Sequence, residues 1–114
     1  MAAEWRIEML GTLRAVREDV AVTRFRTRRV TLLLADLASR PGRSHAREEI
    51  GERLWPDADP EAVRRNLRQA LSSLRRVLEP PPIPSGAILQ VEQSRLRLNP
   101  DFVVSDVAEF EAAI

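Results

Sequence analysis

The chain has 114 residues, 31% of them charged, and a formal net charge of +1, which fits one folded domain with a modest core. It has no cysteine and a single histidine, His45, so disulfides, thiolate metal ligation and a multi-histidine zinc site are excluded. No cofactor, metal or catalytic role is expected. No apolar run approaches the roughly 20 residues that span a bilayer, and Met1-Ala2-Ala3-Glu4-Trp5 lacks the basic and apolar regions of a signal peptide, so the chain reads as cytoplasmic with no membrane partner.

A net charge this small argues against binding nucleic acid through bulk charge, so the distribution of charge matters more. Every cation is an arginine. A GC-rich genome accounts for the missing lysines, but not for the gathering of arginines at 24–29, 64–76 and 95–97. Acids concentrate between Glu48 and Glu61 and after Asp101, which gives distinct acidic and basic regions.

Taken in chain order, Trp5 to Leu10 alternates like a half-buried strand, and Leu13 to Val16 and Val20 to Val22 suggest two more, a small antiparallel sheet. Val30, Leu33, Leu34 and Leu37 follow helical spacing up to Ser39-Arg40-Pro41-Gly42, where proline and glycine oppose continuation. Ser44 is expected to cap a second helix with Ile50 and Leu54 inward and Glu48, Glu49 and Glu52 as a solubilising outer face, ending at Trp55-Pro56. Trp55 reads as core. His45 reads as an exposed helix-start residue with no role, because a lone histidine lacks the partners of a switch or ligand.

The third helix carries the most information. Asp59 before Pro60 is a helix start in which the Asp oxygen accepts from an orphan amide and proline gives up no hydrogen bond. At 100° per residue Val63, Leu67, Ala70, Leu71, Leu74, Val77 and Leu78 share one side, and Arg65, Arg68, Gln69, Ser72 and Arg76 lie opposite. An ordinary solvated face mixes signs, yet no acid occurs between Glu61 and Glu79. Beyond it, Glu79-Pro80-Pro81-Pro82-Ile83-Pro84-Ser85-Gly86 predicts a stiff, extended connector. Ile88 to Glu92 and Arg95 to Leu98 predict a hairpin with Arg95 and Arg97 outward and a glycine-free turn at Glu92-Gln93-Ser94 that needs positive φ. Asp106 to Phe110 resembles a capped helix start.

Strands, three helices and a hairpin, with the third helix basic, is the order of an α+β winged helix-turn-helix. Such a helix fits the major groove of double-stranded DNA, where Arg grips guanine O6 and N7 and Gln grips adenine N6 and N7. Arg65, Arg68, Gln69 and Ser72 are the base-reading candidates. Arg64, Ser73, Arg75 and Arg76 on the flanks and far end, and Arg95 and Arg97 on the hairpin, are the backbone candidates. Arg24, Arg26, Arg28 and Arg29 read equally as a solvated helix entrance or a phosphate-contacting patch, and Arg28 and Arg29 are carried as backbone candidates.

The chain resembles the effector domains of OmpR/PhoB-type regulators, and within them the DNA-binding domain of SARP-type (antibiotic regulatory protein) transcription factors. The resemblance rests on Met9-Leu10-Gly11, Arg40-Pro41-Gly42-Arg43, Arg47-Glu48-Glu49-Ile50, Leu54-Trp55-Pro56-Asp57 and the third helix, with Leu67-Arg68, Leu71-Ser72 and Leu74 to Leu78. Where the family has Gly-Tyr before Arg-Leu in the wing, this chain has Arg95-Leu96 before Arg97-Leu98. Asp106 to Glu111 looks like the start of the family's bacterial transcriptional activation domain (BTAD), so 1–104 is expected to be the winged-helix domain and 105–114 the start of a truncated helical one. The resemblance implies a bacterial transcriptional regulator that binds promoter direct repeats as a head-to-tail pair, and a 55–59 loop able to touch RNA polymerase, although its acids also serve as a turn and an N-cap. The rival reading is a protein-interaction module whose basic helix docks on an acidic partner or a polymerase subunit. A steep loss of DNA affinity with salt separates the two.

Overall fold

The computed structural model describes residues 4–114; Met1 to Ala3, part of the stretch read as lacking a signal peptide, lie outside the described residues. The amino-terminal alternation becomes β1 (Trp5–Glu8), β2 (Arg14–Arg17) and β3 (Val20–Val22), paired antiparallel in sequence order. Trp5 and Ile7 point inward from β1, and Ala15, opposite Ile7, is likewise buried. Glu18 supplies the left-handed residue of the β2–β3 turn, at φ 54°.

Helix α1 (Arg28–Ala38) starts where the Thr27 hydroxyl accepts from Val30 N–H and buries Val30, Leu33, Leu34, Leu37 and Ala38. Gly42 then turns the chain at φ 91° and lies so close to Pro100 that a Cβ there would meet its ring at 3.0 Å. The next residues depart from expectation. His45–Ala46 form a short strand, β4, which pairs with the later hairpin, and α2 (Arg47–Leu54) follows with Ala46 at its N-cap and no side-chain cap. Ser44 is not a cap, because its hydroxyl accepts from Arg95 Nε. His45 is buried, not exposed: strand pairing with Leu96 turns its ring inward, and its Nε2 has no hydrogen-bond partner. Burial, reinforced by the positive charge of Arg43, pulls its pKa below the ordinary histidine value.

Helix α3 (Pro60–Leu78) begins as the sequence predicts, with the Asp59 carboxylate accepting from Ala62 N–H at 2.9 Å and Pro60 at the first helical position. Its 19 residues, about 28 Å at 1.5 Å per residue, bury Leu67, Ala70, Leu71, Leu74 and Leu78, whereas Val63 and Val77 are half-buried. The helix crosses α2 at Gly51, where any Cβ would collide with Val63 Cγ1.

The proline connector folds back; it is not extended. Ile83 N–H donates to the Pro80 carbonyl and Ala87 N–H to that of Pro84, and the whole turn closes around Glu79. One Glu79 oxygen accepts from Arg75 Nη1 and Gly86 N–H, the other from Ile88 and Leu89 N–H, all between 2.7 and 2.9 Å. Burial alone would raise this carboxyl's pKa, but the three amides and the guanidinium outweigh it and hold it below the ordinary carboxylate value. The polypeptide then enters β5 (Leu89–Val91) and β6 (Arg95–Leu98), which with β4 form a three-stranded sheet in the order β4-β6-β5. The hairpin turn needs no left-handed residue: none of Glu92, Gln93 and Ser94 has positive φ. Arg47 braces it, donating its backbone N–H to the Ser94 carbonyl and Nη1 to that of Glu92.

A further strand, β7 (Val103–Ser105), adds parallel to β1 and completes the first sheet as β3-β2-β1-β7. Helix α4 (Asp106–Ala113) follows directly, capped by Ser105, whose hydroxyl accepts from Ala108 N–H. Asp106 itself accepts from Met9 and Leu10 N–H, so the boundary expected after residue 104 falls inside a strand paired with β1 and the helix beyond it is tied to that strand's end. One core joins the layers, and Trp5 Nε1–H locks the first sheet to the end of α3 by donating to the Leu78 carbonyl at 2.7 Å.

Candidate nucleic-acid interface

With its apolar arc in the core, α3 leaves Arg64, Arg65, Arg68, Gln69, Ser72 and Arg76 exposed. Arg65, Gln69, Ser72 and Arg76 fall within about 60° of one another at 100° per residue; Arg64 and Arg68 turn toward the hairpin, and Asn66 and Ser73 toward α1. Among the described residues no salt bridge or side-chain hydrogen bond involves Arg64, Arg65, Arg68 or Arg76, whereas Arg6, Arg14, Arg17 and Arg53 each face a carboxylate. Arg24, Arg26 and Arg28, around the start of α1, are likewise without a side-chain partner among the described residues. Unpaired guanidinium groups on a rigid helix are available to an external anion.

The other arginine candidates are placed differently. Arg75 is half-buried on the hairpin flank, its Nη1 donating to Glu79 and to the Leu89 carbonyl. Arg97 donates to Gln90 Oε1 and the Gly42 carbonyl, and Arg95 to the hydroxyl and carbonyl of Ser44. Arg29 donates Nε to the Leu54 carbonyl at 2.7 Å, closing the carboxyl end of α2. The structure therefore brings Arg65, Arg68, Gln69, Ser72, Arg64 and Arg76 together on one exposed face, with Ser73 at its edge. It does not bring Arg75, Arg95 and Arg97 into that set as unpaired groups.

On the side of α3 away from the hairpin lies an open cleft of about 530 Å³. Arg26, Thr27 and Arg29 form its α1 wall, Asn66, Gln69, Ser73 and Arg76 its α3 wall, and Trp55 also lines it. Trp55 is half-buried against the core, in keeping with its structural reading. Asn66 and the cleft itself were not foreseen from sequence. The spacing 66, 69, 73, 76 does mark a polar flank, but its opposing wall comes from a loop some forty residues earlier in the chain. Among the described residues no cluster of His, Cys, Asp or Glu could hold a metal ion, and no helix is long and apolar enough to cross a membrane.

A family model described as "Transcriptional regulatory protein, C terminal" matches residues 19–94, from the β2–β3 turn through the hairpin turn. Among solved structures, Mycobacterium tuberculosis EmbR in complex with a low-affinity phosphopeptide superposes with a TM-score of 0.80 at 23% sequence identity. That match covers 97% of this chain and 29% of the EmbR chain, and at this identity it establishes the shared fold. No curated protein sequence matches.

Proposed function

Because the chain belongs to the family of C-terminal domains of transcriptional regulatory proteins, the OmpR/PhoB class of winged-helix DNA-binding domains, we propose that it reads specific sequences in double-stranded DNA by placing α3 in the major groove. The observation that carries this reading is the exposed face of α3: arginines with no side-chain partner among the described residues, interleaved with Gln69 and Ser72, on a helix whose only acid lies in its first turn. Arg65, Arg68, Gln69 and Ser72 contact base edges, and Arg64, Ser73 and Arg76 hold the flanking backbone. The resemblance to SARP-type regulators adds two features to the proposal: binding of tandem copies head to tail on direct repeats, and a 55–59 loop facing RNA polymerase. On the same reading 105–114, with α4, is the start of a helical activation domain.

Selection from a randomised duplex pool at near-physiological salt tests the proposal. An enriched motif, repeated at about one helical turn, 10–11 bp, supports sequence reading and tandem binding together. Retention of duplexes without any enriched motif would reduce the domain to a backbone binder. No retention at any salt concentration would favour a protein partner for the basic helix.

A further inference from the structure

We propose that this domain grips the DNA backbone asymmetrically: the cleft between the start of α1 and α3 seats the phosphates of one strand, with Arg26 and Arg76 as its principal cations, while the hairpin wing contributes little. The inference rests on α3 lying in the major groove, and it deepens that reading by assigning the phosphate contacts.

Two observations carry it. The first is the fate of the arginines on either flank of α3. On the hairpin flank Arg64 and Arg68, on the amino-terminal half of α3, have no side-chain partner among the described residues, but Arg75 and the wing's own Arg95 and Arg97 are each held by at least two acceptors of the chain itself, so turning these three to phosphate breaks bonds that fix the fold. On the opposite flank Arg26 and Arg76 have no side-chain partner among the described residues and face one cleft. Exchanging water for phosphate at these two groups sacrifices no internal contact, and each neutralised phosphate releases counterions.

The second is the chemistry of the cleft walls. A small-molecule pocket is mostly apolar with a few polar groups. Here Val30, Trp55 and Ala70 are the apolar members, and the rest of the lining is guanidinium, amide and hydroxyl, with no acid. Thr27 and Ser73 add hydroxyl groups suited to phosphate oxygens on either side. Arg29 acts as a positioning residue: its bond to the Leu54 carbonyl fixes the α1 wall against the end of α2. The α3 wall is continuous with the base-reading face through Gln69 and Ser72, so a strand bordering the groove that α3 enters passes along the cleft.

The test is the salt dependence of duplex affinity for wild type, R26A, R76A and R97A, measured on the selected motif and on an unrelated duplex. R26A and R76A are each expected to weaken both duplexes alike, to lower the slope of log K against log salt by about 0.9, and to leave the selected motif unchanged. R97A is expected to keep the wild-type slope. Arg26 is exposed and makes no side-chain bond among the described residues, so R26A should also melt with the wild type, which separates loss of a contact from loss of fold. A wild-type slope in R26A and R76A, or a larger drop in R97A, would overturn the asymmetric grip while leaving major-groove reading by α3 intact. Failure of the wild-type domain to bind any duplex would overturn both.

Discussion

Glu79 offers a direct test of how this fold is held together. Its side chain is 1% exposed, and its two oxygens take four donors: Arg75 Nη1, and the backbone N–H groups of Gly86, Ile88 and Leu89. In E79Q one oxygen becomes an NH₂ group facing two of those donors, so two of the four lose their acceptor in a buried or half-buried site. At about 1–3 kcal/mol for each unsatisfied group, the cost is about 2–6 kcal/mol, and removing one partner of a buried ion pair gives a similar figure, about 3–5 kcal/mol. A domain of this size has about 6–17 kcal/mol in all, at 0.05–0.15 kcal/mol per residue. Urea unfolding followed by far-UV circular dichroism is the assay: a loss of about 4 kcal/mol over an m value of about 2 kcal/mol/M shifts the midpoint by about 2 M. The pH dependence adds a second check. The folded-state pKa of Glu79 is depressed, so its stabilisation is complete above the ordinary glutamate pKa and disappears as pH falls through the folded value. E79Q should lack that part of the acid limb. A midpoint within about 0.5 M of wild type at neutral pH, less than about 1 kcal/mol at that m value, would refute the four-donor account.

Other expectations follow from single contacts. G51A should destabilise the domain by about 1–3 kcal/mol through overpacking against Val63, although alanine improves an ordinary helix by about 1 kcal/mol; V63A should cost less in the G51A background than alone, and a G51A protein more stable than wild type would show that the two helices have room to separate. R68A should lose about 1–3 kcal/mol of affinity for the selected motif and relax preference at one base pair, whereas R76A should weaken all duplexes alike, so equal sequence-independent losses in both would abolish this division of roles. His45 has a depressed folded-state pKa, so its contribution is present above the ordinary histidine value and lost as pH falls through the folded one. Thermal melts between pH 7 and 5 should fall more steeply for wild type than for H45F, in a window above the range where the depressed carboxylates of Glu79 and Asp106 titrate; parallel curves would remove His45 from the account.

What was legible in advance had local causes. The Asp59-Pro60 start, the apolar period of α3 and the absence of acids along it are contained within twenty consecutive residues, and the helix formed as they dictate. The amino-terminal alternation was legible for the same reason, since period two already assigns Trp5 and Ile7 to one face. The two strands that were not legible, His45–Ala46 and Val103–Ser105, have no apolar alternation of their own to mark them. β4 exists because Leu96 and Arg95 stand ready to pair with His45 and Ala46, and β7 because β1 has an open edge. Pairing at β4 also moved His45 from an expected exposed position into the core, and with it displaced the expected Ser44 cap.

Helix periodicity and capping act between residues a few positions apart, so the order of the main elements and the identity of the reading face are written along the chain. Which arginines remain unpaired is settled by tertiary closure. Arg95 and Arg97 look as available on paper as Arg26 and Arg76, yet Arg95 finds its acceptors at Ser44, 51 residues away, and Arg97 adds to its cross-strand Gln90 the Gly42 carbonyl, 55 residues away. No local pattern predicts such partners: they meet because hairpin, loop and helices close over one core, and that closure occupies the guanidinium groups of the hairpin while leaving those of Arg26 and Arg76 without a side-chain partner among the described residues.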